Sequence, residues 1–241
     1  MAELVVHRSE GMLEITLARP EKMNALSATM VESLHEELDR AEGDGTRLLV
    51  LRGEGRNFSA GFDFGGYEEQ SEGDLLRRFV RIEQLLQRVH HASYDTMAFV
   101  RGRNFGAGVD LFAACNRRVC TSHATFRMPG LSFGLVLGTR RFAALAGSGW
   151  AREVLHDGIT FDAEQAHGHG FVTLLADDTR WAELSAAALQ AACTLSGDAA
   201  ERLFRVTRAD TRDADMAELV ASAARPGLLQ RLRDYRQALG K

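Results

Sequence analysis

Leu13, Ile15 and Leu17 alternate with polar or small residues and give way to Arg19-Pro20, the period-two pattern of a strand that runs into a loop. Ser27 is placed to cap a helix in which Met30, Leu34 and Leu38 recur at spacing four and form one apolar stripe. LLVLRG, from Leu48 to Gly53, is a short apolar run closed by glycine, which predicts a buried strand, and MAFVRG, from Met97 to Gly102, repeats it. Between the two, Leu75, Phe79, Ile82, Leu85, Leu86 and Val89 share one side of a helix expected from about Asp74 to His91. From Thr179 onward the chain is rich in Ala, Leu and Arg, with Pro226 as the main breaker, so the last quarter is expected to be almost entirely helical. Strands in the first two thirds and helices after them predict a parallel α/β core with an appended helical segment.

Composition narrows the class. The 241 residues are 45% hydrophobic and 26% charged, enough for a sizeable core and too apolar for a disordered chain. No stretch approaches the ~18 uninterrupted apolar residues of a membrane helix, and Glu3 stands before any amino-terminal hydrophobic run could form, so neither a signal peptide nor an anchor is expected. Charge narrows the partners. The formal net charge is -4, and of 29 basic residues only Lys22 and Lys241 are lysines, the arginines being spread along the chain without a basic block. That pattern argues against general nucleic-acid binding and for an anionic small ligand held by local arginines. Cys115, Cys120 and Cys193 are odd in number and lack CxxC spacing, which predicts neither a disulfide framework nor a zinc site, and a reduced cytoplasmic setting.

Two segments carry candidate chemistry: FSAGFDF, Phe58 to Phe64, and GRNFGAGVDLFAACN, Gly102 to Asn116. In each, small residues follow a predicted strand, where bare backbone can approach a ligand and aim N–H groups at it. Gly106, Ala107 and Gly108 open a predicted helix whose N-terminus favours negative charge. Together the segments could form a two-donor anion hole.

These two segments, with ARPEKMNALS (Ala18 to Ser27) before them and AEQAHGHGFV after them, resemble the enoyl-CoA hydratase/isomerase, or crotonase, superfamily in the same order along the chain. The resemblance implies an α/β (ClpP/crotonase-like) spiral of ββα repeats over residues 1–195 and a C-terminal helical trimerisation segment over 196–241. It also implies a coenzyme A thioester as substrate, no permanently bound cofactor, and a homotrimer or dimer of trimers. Matched motif by motif, the thioester oxygen would lie between the amides of Phe62, after Ala60-Gly61, and of Ala107, between Gly106 and Gly108. Such amides stabilise charge that builds only in the transition state, at ~3 kcal/mol for each donor. The loop from Arg19 to Leu26 would touch the coenzyme, with Lys22 as a phosphate or adenine ligand and Ala25 beside it; Asp63, within the AGxD motif, would tie its own loop.

The acid/base positions depart from the family. Hydratases of this kind carry one glutamate soon after the second glycine cluster and another after a later proline; here the first is Asp110 and the second, after Pro129, is Gly130. GVDL is similar to dienoyl-CoA isomerases, whose further acidic residue matches Gly138. Naphthoyl-CoA synthases similarly carry glycine at the second position, and by that likeness bicarbonate or water would stand beside Gly130. Asp110, flanked by Val109 and Leu111, is expected in a dry setting that raises its pKa; the same first-turn position also suits the helix dipole without catalysis.

Other features have plainer readings. GLSFG matches the serine-hydrolase elbow at Ser132, with Asp157 and His167 in chain order, but Pro129 before it and LVLG after it are poor helix-start chemistry. His167 and His169 look like a helix terminus rather than a metal pair, and His90 and His91 close a helix, where histidine suits the dipole. Arg140-Arg141 would bind an anion or solvate a helix start. The alternatives to an acyl-CoA enzyme are a non-catalytic CoA-binding homologue and, third, a hydrolase using Ser132.

Overall fold

The computed structural model describes residues 2–240. β1 (Leu4–Ser9) and β2 (Met12–Leu17) form an antiparallel hairpin, and in β2 Leu13, Ile15 and Leu17 turn inward as their alternation predicts. Parallel strands then join in chain order: β3 (Leu48–Gly53) beside β2, β4 (Asp95–Val100) beside β3, β6 (Arg117–Cys120) beside β4 and β9 (Leu174–Leu175) beside β6. A second sheet holds β5 (Arg103–Phe105), β7 (Thr125–Arg127) and β8 (Thr160–Asp162) in that order. From β4 onward each pass of the chain leaves one strand in each sheet: β4 then β5, β6 then β7, β8 then β9. This is the spiral that the resemblance implies.

Helices make the long crossovers that parallel strands require. α1 (Ala28–Ala41) follows β2, and its cap is the expected one: the Met30 N–H donates to Ser27 Oγ at 2.9 Å. α2 (Glu72–His90) follows β3 and starts two residues before its apolar stripe predicts, because Ser71 and Asp74 close a reciprocal capping box. β4 likewise starts earlier, at Asp95, whose buried carboxylate accepts from Asn116 at 2.9 Å and Arg117 at 2.6 Å, so polar residues enter the sheet satisfied. α3 (Ala107–Ala114) leaves β5, α4 (Thr139–Ala146) and α5 (Ser148–Asp157) lie between β7 and β8, and α6 (Ala163–Gly168) precedes β9.

The remainder is helical: α7 (Trp181–Ala192), α8 (Gly197–Thr207), α9 (Arg212–Ala223) and α10 (Leu228–Leu239), with Pro226 in the last break. The last two helices fold back. Leu219 and Ala223 of α9 and Leu228 and Leu232 of α10 belong to the same apolar core as the first sheet, α9 against α2 and α10 against α2 and the 3-10 turn Gly130–Phe133. That return of α10 sets one wall of the site described next.

Candidate active site

Gly61 (φ +77°) lets two distant segments meet. A Cβ there would stand 2.4 Å from the Phe105 carbonyl oxygen and 2.9 Å from the Ala107 nitrogen, and one on Gly108 would stand 2.6 Å from the Ser59 carbonyl oxygen. Only glycine permits this approach. A single parallel bridge fixes the first segment: Leu26 N–H donates to the Gly61 carbonyl at 2.7 Å, and Asp63 N–H donates to the Leu26 carbonyl at 3.3 Å. In that register the Phe62 amide is skipped. Ala107 is the first residue of α3, where an N–H has no partner within its helix. Among the described residues neither the Phe62 nor the Ala107 N–H donates a hydrogen bond, and both residues line one cavity of about 600 Å³, within the usual ~300–1,000 Å³ of small-molecule pockets.

Lys22, Ala25, Ala60, Asp63, Gly106 and Gly130 border the same cavity, while Gly61 packs behind its wall against Phe105. Asp63 is occupied: Arg19 Nη1 donates to it at 2.7 Å and the Gly65 N–H at 2.8 Å. Burial alone would raise its pKa, but those two donors hold it below the ordinary carboxylate value. These two bonds tie its loop. The Phe62 ring is clamped between Phe79, stacked at 4.5 Å, and the Arg78 guanidinium at 4.1 Å. Arg78 also donates to the Asp63 carbonyl at 2.7 Å, which holds the chain just after Phe62.

Asp110 lies one turn along α3 from Ala107 and is 2% exposed, yet it borders the cavity. Its Oδ1 is buried without a hydrogen-bond partner. Burial pushes its pKa well above the ordinary value, with Arg141 pulling it down and Glu83 pushing it up. The wall it touches is Gly138 (φ +64°): a Cβ there would fall 1.9 Å from Asp110 Oδ1. Glycine at 138 is thus the space that the Asp110 carboxyl fills. At Gly130 an added Cβ would stand 3.0 Å from the Leu135 carbonyl oxygen, so a side chain there needs that carbonyl to give by a few tenths of an ångström.

Two expectations need correction, and two others hold. Arg140 does sit at the surface, paired with Asp215 at 2.8 Å, but Arg141 does not solvate the helix start: it is 6% exposed and pairs with the equally buried Glu83 at 3.4 Å. His90 does not serve the α2 dipole as a cation, because burial, with Arg141 and Arg208 nearby, pulls its pKa down to about 3. Ser132 lies exposed in the 3-10 turn rather than between a strand and a helix, and Asp157 bonds His156 at 2.6 Å, not His167. His169 ends α6 and stacks on Trp150 at 4.1 Å, consistent with a helix terminus.

Arg127, Tyr235 and Arg236, which carry no periodic or motif signal, also line the cavity. The two from α10 lie beyond Leu232 on a recognisably amphipathic helix, but nothing local says which surface that helix covers. A polar cleft of about 780 Å³ between α1 and α2 is less suited to chemistry, its Arg81 and Arg88 being paired with Glu32 and Asp39 at 2.6 Å each.

The sequence model described as enoyl-CoA hydratase/isomerase matches residues 7–236. A Mycobacterium leprae protein assigned as an enoyl-CoA hydratase is 31% identical over 187 residues, covering 73% of this chain and 74% of that one. The mitochondrial Delta(3,5)-Delta(2,4)-dienoyl-CoA isomerase of Dictyostelium discoideum is 30% identical over 174 residues, 66% of this chain and 59% of its own length. A crystal structure from Bordetella parapertussis, assigned to the enoyl-CoA hydratase/isomerase group, superposes with a TM-score of 0.96 at 53% identity over 98% of both chains.

Proposed function

This chain belongs to the enoyl-CoA hydratase/isomerase family, and on that ground we propose that it moves a proton on an acyl-CoA thioester, with Asp110 as its single acid/base and the Phe62 and Ala107 amides as the oxyanion donors. Members of the family are enzymes acting on coenzyme A thioesters without a permanent cofactor. The observation that carries the reading is one cavity lined by two amides without acceptors and one dry carboxyl, with no side chain at Gly130.

In the proposed step the Asp110 carboxylate takes the proton from the carbon next to the thioester carbonyl, and the electron pair moves onto the carbonyl oxygen between the two amides. The enolate then collapses as Asp110 returns the proton to the same carbon or, where a double bond extends the enolate, two carbons further on. A carboxyl that takes and returns one proton needs no second residue, so double-bond isomerisation suits this site better than hydration. Burial helps, because a desolvated carboxylate is a stronger base than one in water. Lys22, Arg127 and Arg236, all on the cavity, supply positive charge for an anionic coenzyme. The space beside Gly130 is proposed to admit water or bicarbonate, which would supply hydration as a slower reaction.

The test is turnover of 3-enoyl-CoA and 2-enoyl-CoA esters, followed through the conjugated thioester chromophore with and without bicarbonate, in the wild type and Asp110→Asn. Isomerisation exceeding hydration is expected, with a ~10²–10⁴-fold loss in the variant. Unchanged turnover in Asp110→Asn removes that residue from the mechanism, and tight binding of acyl-CoA esters without turnover of any replaces the enzyme with a CoA-binding protein. A homotrimer or dimer of trimers is part of the same proposal, supported by exposed Leu195, Leu203 and Val206 in the tail.

A further inference from the structure

The site leaves a second feature unexplained. Behind the cavity, where α2, α3 and α4 pack together, Glu83, Asp110 and Arg141 are each buried, and four of their polar atoms have no partner: Glu83 Oε2, Asp110 Oδ1, Arg141 Nε and Arg141 Nη1. Arg141 Nη2 reaches Glu83 Oε1 by one long contact of 3.4 Å, and the same oxygen accepts from Gln87 at 3.0 Å. A buried ion pair is worth its desolvation only when its geometry is tight and its remaining donors are satisfied. This one meets neither condition, so stability does not account for it.

Position does. Arg141 stands in the first turn of α4, just past Gly138, the residue against which Asp110 Oδ1 rests. We propose that Arg141, anchored by Glu83, is the positioning residue of Asp110: a buried guanidinium that contacts Glu83, makes no hydrogen bond to Asp110 and acts on it through its charge across the α3–α4 packing, which lets a carboxyl in a dry wall give up a proton and take it back. The inference rests on the reading of Asp110 as the proton-transfer group. With Glu83 ionised, the trio is neutral while Asp110 is protonated and carries one net negative charge when Asp110 ionises, and the guanidinium lowers the cost of that second negative charge. Without it, ionised Asp110 would be an uncompensated charge beside Glu83, which costs far more.

The groups facing Asp110 are Arg141 from α4 and Glu83 from α2. Glu83 in turn faces Asp215 of α9, while Arg141 faces His90 and His91 at the end of α2, with Arg208 beside them. The two nearest neighbours act on Asp110 with opposite sign. Removing them one at a time therefore has opposite consequences, which a purely structural pair would not show.

The experiment compares Arg141→Met, Arg141→Lys and Glu83→Gln in the full chain. It reads the carboxyl titration of Asp110 by isotope-edited infrared difference spectroscopy against Asp110→Asn, together with the acidic limb of the turnover–pH profile and the affinity for a saturated acyl-CoA. Arg141→Met is expected to move the Asp110 titration and the acidic limb to higher pH, lowering kcat at least about tenfold below the limb, with affinity for saturated acyl-CoA unchanged. Arg141→Lys restores part of it, and Glu83→Gln moves both to lower pH. Should Arg141→Met fail to fold, Glu83→Gln alone carries the sign. An Asp110 band that titrates as in the wild type, or one displaced in the same direction by Arg141→Met and Glu83→Gln, overturns the proposal. The infrared arm judges the coupling even where Asp110→Asn keeps its turnover, an outcome that sinks the acid/base reading and not the coupling.

Discussion

Burial weights Asp110 toward its protonated form, against the opposite pull of Arg141. Its pKa in the folded chain lies above that of an unfolded aspartate, so its contribution to stability is complete below the unfolded value and is lost as pH rises through the folded one. Asp110→Asn, permanently neutral, is therefore expected to unfold at the same temperature as the wild type in acid and to gain stability as pH rises, by ~1–3 kcal/mol at neutral pH. Calorimetry across that range decides it; a variant less stable at pH 7 than the wild type would show that the charged carboxylate is favoured after all. The role of Asp110 as a first-turn carboxyl in a dry setting was legible from Val109, Leu111 and the glycines before it. That of Arg141 was not. Arg140 and Arg141 are identical neighbours in sequence, and only the rotation of α4 against α2 and α3 puts one in solvent and the other beside Glu83.

At the scale of elements, the site is made where a loop and a helix start touch. Gly61→Ala adds a Cβ to a φ of +77° and into the Phe105 carbonyl oxygen. We expect a loss of ~1–3 kcal/mol of stability and of nearly all turnover, because the Phe62 and Ala107 amides would be pushed apart. Ser59→Ala makes a useful contrast: its hydroxyl accepts from the Gly61 N–H at 3.1 Å and donates to the Asn24 carbonyl at 2.8 Å, so it supports the loop without entering the cavity, and a milder defect should follow. Equal effects from both would count against the close approach as the decisive feature. Caps and stripes were readable here because they are local, as Ser27 shows. The earlier starts of α2 and β4 were less so, since Ser71 needs Asp74 to close a box and Asp95 needs Asn116 and Arg117 to enter a sheet.

For the whole molecule, the proposed homotrimer or dimer of trimers leads to an expected mass of three or six copies by size exclusion with light scattering. Val206→Asp, at a residue 76% exposed, should lower that mass without unfolding the monomer. A wild type that elutes as a monomer at micromolar concentration would refute it. The tail also shows where pattern and structure part. Its helical content follows from residues rich in Ala, Leu and Arg, whereas the return of α10 over the cavity, bringing Tyr235 and Arg236 to it, does not. Period, cap and glycine are properties of a few neighbouring residues, so the chain alone determined the strands at Leu13, Leu48 and Met97, the helices after Ser27 and from about Asp74, the helical tail, the glycine-rich segments and the family resemblance. Which amides lack acceptors, which carboxyl is dry and which arginine lies beside it are sums over groups as far apart as Glu83 and Arg141, and those sums exist only once the spiral has closed.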